Sequence, residues 1–174
     1  MRSRQFAQPP GVITRATKDR VREAIFSAIG LRIKGAVVLD VFAGSGAYAL
    51  EAYSRGAHTI YLNDAHVEAY QTLSANIQKL GVQGAVTTQL DFLSCLNQYA
   101  KQSQSFDVIF LDPPYQANLL DAAYRFIIQS DLLKPKGILV LESEGPEIDL
   151  SAVIFNHKVY NYGRTMVQIA WKKN

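Results

Sequence analysis

Three short, largely apolar runs and one weakly alternating run in this chain each stop at an aspartate, and each is followed by a stretch with helical periodicity. Val37-Val38-Leu39 ends at Asp40, Thr59-Ile60-Tyr61-Leu62 at Asn63-Asp64, the weakly alternating run from Ala85 to Leu90 at Asp91, and Val108-Ile109-Phe110-Leu111 at Asp112. The acids recur at intervals of 24, 27 and 21 residues, about one β-α unit each. Unbroken apolar strands of this kind are buried on both faces, so they belong in a parallel sheet covered by helices on both sides. The sequence therefore predicts an α/β, doubly wound, mostly parallel sheet. In such sheets ligands bind outside the carboxyl ends of the strands, where all four acids fall.

Helices are expected from Thr17 to Gly30 with Val21, Ile25, Ala28 and Ile29 inward, from Ala47 to Arg55, and after Asp64 with Val67, Tyr70, Ser74 and Ile77 on one face. Two more are expected over Phe92 to Lys101 and about Asn118 to Ser130. Thr17 reads as the first helix's N-cap, with Asp19 in its first turn. Ile138 to Glu142 follows the turn-like Pro135-Lys136-Gly137 as a fifth strand. Val153 to Tyr160 and Met166 to Trp171, around Asn161-Tyr162-Gly163-Arg164, read as a C-terminal antiparallel β-hairpin. Residues 1–13 carry Pro9-Pro10-Gly11 without periodicity and are expected to form an irregular basic arm, leaving 14–174 as one domain.

The chain of 174 residues has a net charge of only +3. The excess is concentrated at the start, where Arg2, Arg4, Arg15, Lys18, Arg20 and Arg22 face a single Asp19. Such a basic end suits an anionic partner, although a solvated helix face produces the same clustering. One cysteine, Cys95, excludes an internal disulfide and a cysteine-based zinc site. Without an apolar run of membrane-spanning length, a cytoplasmic protein away from membranes is expected.

The most distinctive loop is Asp112-Pro113-Pro114-Tyr115. Its prolines lack N–H groups, and Pro114 keeps Pro113 extended, so the strand stops and no helix can begin at once. That leaves a stiff loop with one carboxylate, unpaired carbonyls and an aromatic face. It could accept hydrogen bonds from an exocyclic amine while Tyr115 stacks on the base, as a flipped nucleobase requires. A rigid β-to-α turn is the plain alternative. Gly44 and Gly46 let the backbone turn tightly against a ligand at a helix N-terminus. Gly44-x-Gly46-x-x-Ala49 also fits a dinucleotide fingerprint with Asp64 on a ribose, which keeps a nicotinamide oxidoreductase open. Asp91 could accept from an adenine amine beneath Phe92. Helix capping is the structural alternative for both Asp64 and Asp91.

Taken together, Asp40-x-Phe42-Ala43-Gly44-Ser45-Gly46-Ala47, Glu51-Ala52-x-Ser54-Arg55-Gly56-Ala57 and Asp112-Pro113-Pro114-Tyr115 resemble the S-adenosylmethionine-dependent methyltransferases, in particular the bacterial RsmD-type family. Arg15-x-Thr17-x-Asp19-Arg20-Val21-Arg22-Glu23-Ala24 is similar to that family's signature helix, and Tyr162-Gly163-x-Thr165 to its late hairpin motif. Ala16 stands where the family usually has proline. Family members generally carry a basic β-hairpin before the arginine motif, where this chain has residues 1–13. The resemblance spans about residues 12–172 and implies a class I methyltransferase fold. It implies methylation of the exocyclic N2 amine of a guanine in small-subunit ribosomal RNA. S-adenosylmethionine would lie along Asp40, Phe42, Ala43, Gly44, Ser45, Gly46, Asp64, Asp91 and Phe92. The catalytic loop would be Asp112, Pro113, Pro114 and Tyr115, with Arg15, Lys18, Arg20, Arg22 and Tyr115 on the RNA. It also implies a monomer whose partner is ribosomal RNA or the small subunit. A DNA adenine-N6 or cytosine-N4 methyltransferase would use the same loop and remains an alternative.

Overall fold

A computed structural model describes residues 15–114, 117–150 and 155–172. The elements run α1 (Arg15–Ile29), a 3-10 turn (Gly30–Ile33), β1 (Val37–Asp40), α2 (Ala47–Ser54), β2 (Thr59–Asn63), α3 (Val67–Leu80), β3 (Ala85–Thr88), α4 (Phe92–Lys101), β4 (Phe106–Leu111), α5 (Ala117–Gln129), β5 (Leu133–Ser143), β6 (Phe155–Tyr162) and β7 (Thr165–Lys172). The strands form one sheet in the order β3-β2-β1-β4-β5-β7-β6. The first five are parallel, and β7 and β6 add antiparallel to the β5 edge. This is the expected Rossmann-like methyltransferase fold with its C-terminal hairpin.

The unbroken apolar character of the strands is explained by two separate cores. Val38, Val108, Phe110, Ile138 and Val140 face α1, α2 and α3, whereas Leu39, Ile109, Leu111, Leu139 and Leu141 face α4 and α5. Alternating residues of each strand therefore bury into opposite layers, and no polar face is left to show a period of two. The chain order reverses between β1 and β4, which pair directly. Their carboxyl ends, Asp40 and the Asp112 loop, consequently open onto the crevice of a doubly wound sheet.

Several local expectations are corrected. Helix α1 begins at Arg15, so Thr17 lies inside it and Asp19 falls beyond its first turn. On α3 the fully buried positions are Ala69, Leu73 and Asn76; of the expected face Tyr70 and Ile77 pack half-buried against the core, while Val67 is 55% exposed. Pro135-Lys136-Gly137 does not precede β5 but lies within it. The pairing of β4 with β5 jumps from Phe106–Leu133 to Val108–Ile138, and Lys136 adopts φ +62° in the irregularity. An inserted segment lets a strand carry turn residues without ending. The arm at 1–13 lies outside the described residues, as does Tyr115. Among the described residues no helix is long and apolar enough to cross a membrane.

Candidate active site: two cavities that meet at Asp112

The loop after β1 turns on two glycines with different tasks. Gly44 has φ +56°, and a Cβ there would meet nothing within 4 Å, so its bare face is open to the adjoining cleft. Gly46 has φ +83°, and a Cβ would stand 3.0 Å from Leu62 Cδ2 and 3.3 Å from Leu50 Cδ1. The first glycine leaves room for a ligand, and the second lets α2 close onto β2.

Buried polar side chains hold this loop against the neighbouring strand ends. Asn63 is 1% exposed. Its Nδ2 donates to Val41 O (3.1 Å) and Leu90 O (2.9 Å), and its Oδ1 accepts from Thr88 Oγ1 (2.8 Å) and Leu90 N (3.1 Å). One amide thereby ties together the ends of β1, β2 and β3, with its donors and acceptor all used. Asp64 Oδ2 accepts from Gly44 N at 2.8 Å and Oδ1 from His66 N at 2.9 Å. Asn76 Nδ2, on α3, donates to Ser45 O at 2.9 Å. Sequence reasoning missed both asparagines.

Beside this scaffold runs a cleft of about 770 Å³, lined among others by Phe42, Gly44, Asp64, Asp91, Phe92 and Lys18. Phe42 and Phe92 meet at 5.8 Å between ring centroids, forming an apolar wall. Asp91 caps α4 by accepting from Ser94 N at 3.0 Å, and that hydrogen bonding lowers its pKa. Asp40, Ala43, Ser45 and Gly46 do not line the cleft. They are buried, Asp40 at the end of β1 and the other three within the turn.

The Asp112-Pro113-Pro114 segment lines this cleft and also a second cavity of about 350 Å³, together with Leu120, Glu142 and Thr165. The Asp112 carboxylate accepts no hydrogen bond from the described residues and is half-buried. Burial, reinforced by the Glu142 charge, pushes its pKa well above the usual carboxylate range, and Lys18 opposes the shift. Glu142 follows the apolar run Ile138-Leu139-Val140-Leu141 near the carboxyl end of β5, as the aspartates follow theirs. Tyr48 stacks on Phe110 (5.1 Å, 13°) and donates its hydroxyl hydrogen bond to Glu142 Oε2. Burial raises the Glu142 pKa, while the Tyr48 hydrogen bond and Lys18 pull it down.

Asp40 is the third acid of this region, 1% exposed, with no hydrogen-bond partner for either oxygen among the described residues. The nearby N–H groups of Ala49 and Phe42 soften its burial without meeting hydrogen-bond geometry, and its pKa rises to about 7. Of the basic residues, Lys18 and Arg20 are exposed and Arg15 opens α1, whereas Arg22 is engaged with Asp19 at 2.8 Å. Cys95, on the buried face of α4, has its thiol pushed by burial to about 12, so it offers no nucleophile.

The model of the family described as conserved hypothetical protein 95 matches residues 1–171. The chain belongs to that family. It is 34% identical over 176 residues to the "Putative rRNA methyltransferase YlbH" of Bacillus subtilis, covering 99% of this chain and 95% of that one. It is 36% identical over 138 residues to the ribosomal RNA small subunit methyltransferase D of Haemophilus influenzae, covering 75% and 68%. Among solved structures, the "Putative methyltransferase yhhF" of Escherichia coli superposes with a TM-score of 0.82 at 26% identity, covering 98% and 92%. The fold is also shared with methyltransferases solved with S-adenosylhomocysteine or AdoMet bound. The family is thus one of S-adenosylmethionine-dependent methyltransferases related to those that modify ribosomal RNA.

Proposed function

We propose that the protein transfers a methyl group from S-adenosylmethionine to the exocyclic N2 amine of a guanine in small-subunit ribosomal RNA, as an RsmD-type enzyme. The observation that carries this reading is the position of Asp112-Pro113-Pro114 between the two cavities. A loop with an unpartnered carboxylate at such a junction is where an amine from one chamber would meet a methyl group from the other. The Haemophilus relative's ribosomal name supplies the class of substrate.

The larger cleft fits the cofactor on its own chemistry. Gly44 leaves a bare backbone face, each Asp64 oxygen keeps a lone pair beyond its one hydrogen bond, and Phe42 with Phe92 gives an aromatic wall for an adenine ring. Asp40, Ala43, Ser45 and Gly46 would act by holding the turn. When bound, S-adenosylmethionine supplies an electrophilic methyl carbon whose bond to sulfur breaks with its electrons staying on sulfur. The chain's share of the work is placement, which can contribute roughly 7–11 kcal/mol to lowering the barrier. Asp112 and the Pro113 carbonyl would accept the amine's hydrogens and turn its lone pair toward the methyl. Asp112, with its raised pKa, suits the removal of the proton that the methylated amine must lose. Tyr115 would stack on the base. Arg15, Lys18, Arg20 and Arg22 would contact phosphates as part of a basic surface that begins in the arm at 1–13, with 14–174 as the methyltransferase domain of a monomer.

The test is transfer of tritiated methyl onto small ribosomal subunits, total RNA and duplex DNA, with the product nucleoside identified. N2-methylguanosine from the small subunit is the expected product. Methylated adenine or cytosine in DNA, with ribosomal particles ignored, would overturn the assignment.

A further inference from the structure

Four carboxylates line the smaller cavity; Glu144 and Glu147 are exposed, the latter paired with His157 at 3.2 Å, which leaves Asp112 and Glu142 as the two half-buried ones, and the mechanism above uses only Asp112. Glu142 is held in place by the Tyr48 hydroxyl on Oε2, while Oε1 accepts nothing from the described residues. We infer that Glu142 is the residue that selects guanine, by accepting the hydrogen bond of the ring N1–H while Asp112 takes the neighbouring N2 amine. This rests on the guanine-N2 reading and adds to it the group that reads the base.

The argument is one of matching donors to acceptors. Two carboxylates facing one partly dehydrated cavity repel each other, and burial holds both above their usual pKa. A ligand relieves that cost by bringing N–H groups to both. On its Watson–Crick edge guanine carries N1–H beside the N2 amine, so one edge supplies donors for both acids. Adenine and cytosine carry their amine beside an unprotonated ring nitrogen, which would place an acceptor against Glu142. Sites built to hydrogen-bond a donor reject the analogue lacking it more strongly than apolar sites reject a missing methylene. Tyr48 is the positioning residue. Its ring is fixed on Phe110, one residue before the end of β4, so the strand that carries Asp112 also orients Glu142.

The test is equilibrium titration of the full-length protein, with S-adenosylhomocysteine present, using guanosine, inosine and 2-aminopurine riboside. Inosine keeps N1–H without the amine, and 2-aminopurine keeps the amine with an unprotonated N1. Guanosine is expected to bind roughly tenfold or more tighter than 2-aminopurine riboside. Glu142→Gln can keep the Tyr48 contact while turning an N–H toward the cavity, so it should erase or reverse that preference. Tyr48→Phe, which keeps the ring stack, should narrow it. Unchanged S-adenosylhomocysteine affinity certifies the fold of each variant, and the wild-type comparison carries the test alone if Glu142→Gln does not fold. Equal wild-type binding of guanosine and 2-aminopurine riboside would overturn the inference. So would a Glu142→Gln protein that keeps the preference, or no guanosine binding at millimolar concentration. Failure of the underlying function reads differently, as a product nucleoside other than N2-methylguanosine in the transfer assay. N2-methylguanosine formed by a protein indifferent to N1–H would remove Glu142 alone.

Discussion

The two cavities are built on opposite principles although they share a wall. Around the larger cleft the buried polar groups already have partners, with Asn63 using its whole amide and Asp64 engaged on both oxygens. Around the smaller one the acids are short of donors. Of its half-buried acids, Asp112 has no hydrogen bond from the described residues and Glu142 has one; Asp40, buried at the end of β1 where its charge acts on Asp112, has none from those residues either. A fully partnered network is rigid and keeps its shape without a ligand. Carboxylates lacking partners cost stability and repay it only when a ligand brings hydrogens, which makes them suited to recognition and proton transfer. The chain thus reads as a preformed seat joined to an unfinished one.

Breaking the preformed side should produce the larger effect on folding. Asn63→Ala leaves the carbonyls of Val41 and Leu90 and the donors of Thr88 and Leu90 without that partner, and should cost about 3 kcal/mol or more. Denaturant unfolding reads this directly, and cofactor binding should weaken in step because the loop loses its anchor.

At the acids without hydrogen-bond donors the sign should reverse. The Asp40 pKa of about 7 lies above its unfolded value, so the folded state holds an extra proton between roughly pH 4 and 7. Its destabilising effect is absent below that window, grows as pH rises through it, and is complete above pH 7. Asp40→Asn should therefore match wild type near pH 4 and gain about 2 kcal/mol at pH 8. Parallel unfolding curves for the two proteins across that range would contradict the assignment.

The smallest effect is expected on the basic helix. Arg20 is exposed, whereas Arg22 is engaged with Asp19. Arg20→Glu should raise substrate KM and flatten its salt dependence, because a phosphate contact releases counterions, and it should leave cofactor affinity unchanged. Arg22→Ala should lose only about 0.5 kcal/mol of helix stability with the ion pair, and change KM less than Arg20→Glu. A larger KM effect at Arg22 would mean that the ion pair opens when substrate binds.

What the sequence disclosed follows the same division. Strand ends were legible because an apolar run ending at an acid is a local signal, and Asp40, Asp64, Asp91 and Asp112 all lie where that signal placed them. The partnered network was not legible. Asn63 reaches Leu90, 27 residues on, and Tyr48 reaches Glu142, 94 residues on, so nothing local pairs them. Glu142 carries the same local signal, an acid directly after the apolar run Ile138-Leu139-Val140-Leu141. Pro135-Lys136-Gly137 misled in the other direction, because a bulged strand and a turn draw on the same residues. The α3 face was legible only in part, Tyr70 and Ile77 meeting the core, for a tertiary reason: Val67 borders the cleft while the polar Asn76 packs inward to hold Ser45.

The most direct test of the two-cavity account is a paired measurement on Asp112→Ala. If Asp112 faces the amine rather than holding the cofactor, S-adenosylmethionine should bind by calorimetry within about twofold of wild type. Methyl transfer should fall by roughly 100-fold or more, the scale of a lost proton acceptor. Cofactor affinity collapsing together with turnover would place Asp112 in the cofactor seat, and turnover near the wild-type rate would remove it from the reaction.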